Sequence, residues 1–158
     1  MQGHRQISVL QGHQSESDRL VARRRGAESV DLPGLDIQYF ETETSVAGGK
    51  EATARDLAQG NTSALLCFSD VIALGAYFAL TEAGLQVPRD MSVMGFDNLD
   101  WARDADPPLT TIGLPAAEMG VEVGNQIVRR LEHQIPISSK LLEARIVERA
   151  SVAEAFDA

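Results

Sequence analysis

The sequence predicts an α/β protein built on a doubly wound parallel sheet. Three observations carry this. Short β-type runs alternate with longer runs of helical periodicity, the pattern of strand–helix–strand crossover units. The run Ala64-Leu65-Leu66-Cys67-Phe68 is apolar, as a central parallel strand buried on both faces must be. The segment after it, 70–83, is a helix apolar around nearly its whole circumference, so it needs cover on both sides. One side can be its own sheet, and a second subunit is expected on the other.

In chain order, 7–10 is a first strand and 12–17 the loop after it. Residues 18–30 read as a helix that Asp31, Pro33 and Gly34 break. A second strand spans 37–40. Thr44 or Ser45 can cap a helix that runs to 59 and ends at Gly60-Asn61. After the 64–68 strand, Ser69 or Asp70 caps the 70–83 helix. Gly84 stands where a left-handed residue closes it, with Leu85 as the apolar contact beyond. Strands follow at 91–95 and, after Pro107-Pro108, at 109–112. Pro115 suits a helix start. Met119, Val123, Ile127 and Leu131 then form a stripe at spacing four, with Gly120 and Gly124 beside it. A linker follows 133–136, and 141–147 reads as a last strand. In such sheets ligands sit beyond the carboxyl ends of the strands, here the loops starting at Gly12, Glu41, Ser69 and Asp97.

Composition narrows the function classes. The 158 residues suffice for one compact domain with a real core. Acids outnumber bases 23 to 14, a net charge of −9, with one conspicuous basic cluster, Arg23-Arg24-Arg25. A protein that grips DNA must neutralise phosphates, so this chain is not expected to bind DNA itself. No apolar run approaches a membrane span, and the N-terminal residues are too short an apolar run for a secretory leader. Cys67 is the single cysteine, so no disulfide forms within the chain, and a cytoplasmic protein is expected. His4, His13 and His133 lack metal-ligand spacing, and the glycines form no phosphate loop, so neither metal nor cofactor is expected.

The segments Ser69-Asp70-Val71-Ile72-Ala73-Leu74-Gly75-Ala76, Gly84-Leu85-Gln86-Val87-Pro88-Arg89-Asp90, Met91-Ser92-Val93-Met94-Gly95-Phe96-Asp97 and Pro107-Pro108-Leu109-Thr110-Thr111-Ile112 occur in one order and spacing. Gly3-His4-Arg5, Arg23 to Gly26, Glu118-Met119-Gly120 and Arg149-Ala150-Ser151 add weaker support. In these the chain resembles the lactose-repressor/galactose-repressor (LacI/GalR) family of transcriptional regulators from His4 to Ser151. The resemblance implies a two-lobed sensor like a type I periplasmic sugar-binding protein, of which this chain is mainly the C-terminal lobe. Residues 4–113 would be that lobe, 114–140 a helix and linker belonging to the N-terminal lobe, and 141–151 the strand returning from it. The DNA-binding helix-turn-helix would lie outside the chain. The helix beginning at Pro115 would then lack its usual sheet, and an intersubunit or swapped contact is expected to cover its stripe.

The resemblance also nominates site residues, each with a plainer rival. Asp97 would accept hydroxyl hydrogen bonds from an effector, or else cap its own loop. Arg23, three residues before Gly26, would offer its planar fork to hydroxyls or a carboxylate, or be a surface arginine. Ser17 is a polar loop contact or an ordinary turn residue. Ser69 touches ligand or merely caps the helix, while Asp70 is expected to cap and orient. Thr44 falls where sugar-binding members often carry an aromatic, with Phe40 or Tyr39 as substitutes. Trp101 could close over ligand, with packing as the expected alternative. Leu74, Tyr77, Phe78 and Ala105 resemble the family's dimer surface, or else belong to the core. Cys67 reads as core.

These readings imply a non-enzymatic effector sensor and dimerisation module of a cytoplasmic regulator. Its partners would be a sugar-like small molecule, a second copy, and DNA only through the separate head. With one wall of the cleft, the chain itself is expected to bind sugar weakly or not at all. The alternative is a fragment of a periplasmic sugar-binding receptor. An enzyme on a Rossmann-like sheet lacks a nucleophile–base pair or cofactor loop.

Overall fold

The computed structural model describes residues 3–13 and 18–155. The elements run β1 (Gln6–Gly12), α1 (Asp18–Glu28), β2 (Asp36–Thr42), α2 (Val46–Gln59), β3 (Ala64–Cys67), α3 (Asp70–Glu82), β4 (Ser92–Asp97), α4 (Asp100–Asp104), β5 (Thr110–Gly113), α5 (Ala116–His133) and β6 (Arg145–Val147). The sheet order is β2-β1-β3-β4-β5-β6. The first five strands pair in parallel, and β6 joins β5 antiparallel, with Gly113 opposite Arg145. This is the doubly wound class, with one antiparallel edge that the sequence did not announce.

Side-chain alternation along β1 shows the two faces. Ser8 donates to Asp56 on α2 at 2.5 Å, so that face meets α2. Ile7 and Val9 point the other way, into a hollow shared with Leu66, Ile37 and, at the end of α1, Ala27 and Val30. The chain therefore leaves β1 over one face and returns from β2 over the other. The strand order reverses between β1 and β3, and in doubly wound sheets the ligand crevice lies beyond the carboxyl ends of the strands at such a reversal.

The core is centred on α3 and the strands beneath it: Leu10, Leu65, Ile72, Leu80, Val93 and Leu109 are fully buried. Each such side chain contributes about 1.5–3 kcal/mol by leaving water. Ser69 caps α3 by accepting from the Val71 amide at 3.2 Å. At the other end Gly84 takes φ 73°, while the amides of Gly84 and Leu85 reach the carbonyls of Thr81 and Leu80, which closes the helix as its sequence predicts. Ser45, not Thr44, caps α2, accepting from the Gly48 amide at 3.0 Å.

The cover of α3 corrects one expectation. Most of its second side is met by α2, not by another subunit. The two helices touch through Gly49 and Gly75: a Cβ on Gly49 would lie 2.2 Å from the Ile72 carbonyl oxygen, and one on Gly75 equally close to that of Val46. Two glycines thus admit a backbone-to-backbone contact that side chains would forbid. Phe78 stays 49% exposed, and Leu74 is only partly covered.

Other differences are local. The short helix α4 lies in a stretch read only as loop; its Ala102 is buried and Trp101 packs against the core. The last strand begins at Arg145, and 141–144 are irregular. The helix α5 has no buried residue. It stands away from the sheet, and the returning segment lies along it: Lys140 pairs with Glu122 at 2.6 Å, and Gln126 accepts from the Ser138 amide at 2.9 Å. Its stripe is therefore not packed on its own lobe, with Val123 58% and Leu131 77% exposed. Among the described residues no helix is long and apolar enough to cross a membrane, and no cluster of three His, Cys, Asp or Glu side chains could hold a metal ion.

Candidate effector site at the carboxyl edge of the sheet

The site forms where α1 crosses the ends of β3 and β4. Arg23 projects from α1 over the Phe96 ring, its guanidinium carbon 3.5 Å from the centroid. One amino group donates to the carbonyl of Phe68, and the other reaches Asp97 Oδ1 at 3.3 Å. The pair is partly buried, with side-chain exposures of 15% for Arg23 and 33% for Asp97. Burial draws the Arg23 guanidinium below its ordinary value, and the Asp97 carboxylate opposes that; from so high a starting point the group stays charged. The edge thus offers a fixed guanidinium beside a carboxylate, a pairing suited to vicinal hydroxyls.

Asp97 and Asn98 have φ values of 111° and 56°, left-handed positions that non-glycine residues rarely take. Asp70 holds the turn from beneath. Its Oδ2 accepts from the Leu99 amide at 2.7 Å, and its Oδ1 from the Thr111 hydroxyl at 2.6 Å. Burial pushes the Asp70 carboxyl up, countered by those two donors. A Cβ at Gly95 would sit 2.2 Å from Asp70 Oδ1, so the glycine makes room for this carboxylate. Asp70 therefore orients the loop, as its sequence position suggests.

The remaining nominated residues are distributed as follows. Ser69 is buried at the end of β3, next to the carbonyl that Arg23 grips, and its hydroxyl caps α3. Thr44 is exposed in the loop after β2, and its hydroxyl lies 2.6 Å from where a Gly12 Cβ would be, so the end of β1 and the loop after β2 meet there. Ser17 lies outside the described residues. Phe40 is buried, and Tyr39 faces Arg24 at 4.3 Å, so neither stands in for an aromatic at Thr44. Trp101 meets Tyr77 edge-on at 6.4 Å, partly buried against the core. Tyr77 itself is buried, its hydroxyl donating to the Pro107 carbonyl at 2.9 Å, and burial pushes its phenol up. Ala105 is partly buried against the same cluster. Of the four residues nominated for a dimer surface, Phe78 and Leu74 face outward. Cys67 is buried and free, and burial raises its thiol.

The sequence reading missed Phe96 as the platform under Arg23. Its place in Gly95-Phe96-Asp97 was visible; that α1 would lay an arginine on it was not.

Comparison with known proteins matches this architecture. Residues 1–152 match the model of the periplasmic binding protein-like domain, and the chain belongs to that family. Within it, the similarity is to regulators of the LacI type. The chain is 36% identical over 134 residues to the HTH-type transcriptional repressor PurR of Actinobacillus pleuropneumoniae serotype 3 (strain JL03), covering 82% of this chain and 40% of that protein. It is 35% identical over 159 residues to the HTH-type transcriptional repressor CytR of Escherichia coli (strain K12), covering 95% and 46%. A LacI family transcriptional regulator from Enterococcus faecium, solved with bound ribose, superposes with a TM-score of 0.89 at 28% identity, covering 98% of this chain and 59% of that one. The chain thus spans less than half the length of those two repressors.

Proposed function

We propose that this chain is the effector-sensing and dimerisation part of a LacI/GalR-type transcriptional regulator, and that its effector is a sugar or a related hydroxylated metabolite. The observation that carries the reading is the Arg23–Asp97 pair on Phe96, set at the crevice of a periplasmic-binding-protein-like sheet. Asp97 and Arg23 would bind hydroxyls, with Ser69, Thr44 and Ser17 as further polar contacts to the effector. The bound ribose of the Enterococcus faecium regulator supports the ligand class. The reading gives the chain a binding role and no chemistry, in keeping with relatives that are transcriptional regulators. It places the protein in the cytoplasm, with DNA contacted only through a separate head.

In this reading 4–113 and 141–151 form one lobe, and 114–140 belongs structurally to the other. The exposed stripe of α5 is then an interlobe surface, which two copies of this chain would cover for each other. A second contact between copies would use Phe78 and Leu74 on α3, with Ala105 and Tyr77 behind them. A sugar that binds one closure angle better than another shifts the population of the two, and so the spacing of the DNA-reading heads.

The test is a nuclear magnetic resonance titration with D-ribose. With one wall of the cleft, the expected affinity is on the order of millimolar or weaker. Shifts should centre on the amides of Arg23, Ser69, Asp97 and Asn98 and vanish in Asp97→Ala. Shifts centred on α5, or unchanged in that variant, would refute the assignment.

A further inference from the structure

The Asp97–Asn98 turn is held from two directions. Two successive non-glycine residues at φ 111° and 56° keep that backbone only when their surroundings over-determine it. Asp70 supplies one constraint, through Leu99 and Thr111. The other comes from far along the chain. One amino group of Arg149 donates to the side-chain oxygen of Asn98 at 2.7 Å, and the other to the carbonyl of Leu109 at 2.6 Å. The Arg149 backbone is itself anchored. Its amide donates to the Thr110 hydroxyl at 2.9 Å, and the next amide, of Ala150, to the carbonyl of Pro108 at 3.1 Å. A planar fork meets two acceptors at once, which an ammonium cannot reproduce.

We propose that Arg149 is a positioning residue for the effector carboxylate: from the β5–β6 pair it holds Asn98, and through Asn98 the turn that presents Asp97. Arg149 lies just beyond β6, the strand by which the chain returns from α5, and Leu109 lies just before β5, the strand that leads to it. The effector turn and the two strands that carry the α5 arm are therefore bolted together by one side chain. That the turn serves an effector rests on the reading above; the clamp itself does not. The Arg149–Asn98 contact is solvent-exposed, so it adds little to global stability, and its effect is local.

Native-state hydrogen exchange on the whole chain separates these effects. Arg149→Ala and Asn98→Ala should each lower the protection of the Leu99 amide about tenfold or more, the change expected for losing a hydrogen bond to a charged group. The amides of Leu10 and Leu66 in the central strands should keep theirs. Arg149→Lys should fall between parent and alanine variant, and Asn98→Asp, which keeps the acceptor and tolerates the backbone, should match the parent. Leu99 protection unchanged in both alanine variants would overturn the proposal. So would an equal fall at Leu99, Leu10 and Leu66, which would make Arg149 merely stabilising. These measurements use no ligand, so D-ribose shifts centred on α5, or unchanged in Asp97→Ala, would refute the effector reading without touching the clamp.

Discussion

Replacing Gly75 by alanine should destabilise the chain, although Gly→Ala in a helix ordinarily does the opposite. A Cβ there would lie 2.2 Å from the Val46 carbonyl oxygen, 2.6 Å from the Lys50 amide nitrogen and 2.8 Å from the Gly49 Cα. All three are backbone atoms of α2, so no rotamer change relieves the clash. Ordinary contact requires α2 and α3 to separate by about 1–1.5 Å. Such overpacking costs about 1–3 kcal/mol, with further loss as Ile72, Ala76 and Thr53 give up contact at the seam. Helix propensity returns about 0.5–1 kcal/mol. The lost seam contacts offset that return, so a net loss of about 1–3 kcal/mol is expected. Gly26 in α1 is the control: nothing lies within 4 Å of its Cβ position, so Gly26→Ala should stabilise by about 0.5–1 kcal/mol. Urea unfolding followed by circular dichroism measures both. At a slope of about 2 kcal/mol per M, the midpoint should fall by about 0.5–1.5 M for Gly75→Ala and rise for Gly26→Ala. If the two variants move together, the glycine seam is not what sets the α2–α3 distance.

Three further outcomes follow from named contacts. His4 is buried, its Nε2 donating to the Ala153 carbonyl at 3.1 Å and its Nδ1 bonded to the Ser63 hydroxyl at 2.8 Å; burial holds its pKa below the ordinary 6.5. The folded state therefore favours the neutral ring, so stability present above about pH 6.5 is lost as pH falls below it; His4→Gln should flatten that slope in unfolding between pH 7.5 and 5.5, measured at about half-unit steps. Asp70→Ala should cost about 2–4 kcal/mol, since it orphans the Leu99 amide and the buried Thr111 hydroxyl, and a thermal shift within error of the parent would contradict the role given to it. Leu131→Glu should abolish concentration-dependent self-association in sedimentation without changing the helical signal, because Leu131 is 77% exposed.

Much of this molecule was legible in the linear chain, for definable reasons. The wholly apolar 64–68 run, the Ser69 and Gly84 caps and the strand–helix alternation are local signals, and α3 begins and ends where they place it. Asp70 was legible as an orienting residue because it follows a cap position. Boundaries slipped where the signal is weak: 141–144 carry Leu-Leu-Glu-Ala, which suits strand or coil alike, and only pairing with β5 defines β6. The helix α4 is five residues long, too short for periodicity to register. Gly49 and Gly75 were dismissed as lacking a phosphate-loop pattern, because a glycine that admits a neighbouring helix looks in sequence like any other.

The candidate site divides the same way. That a carboxylate at 97 ends a strand, and that an arginine sits at 23, the chain states by itself, because strand ends and helix faces follow from periods of two and 3.6 residues. What the linear chain could not state is that these two meet, 74 positions apart, on the face of Phe96. Nor could it show Arg149 reaching back to Asn98 across 51 positions. Local patterns determine elements because each residue's preference is read from its near neighbours. Which side chains share a crevice depends on strand order and on which face each crossover takes, and those are decided only when the whole core closes.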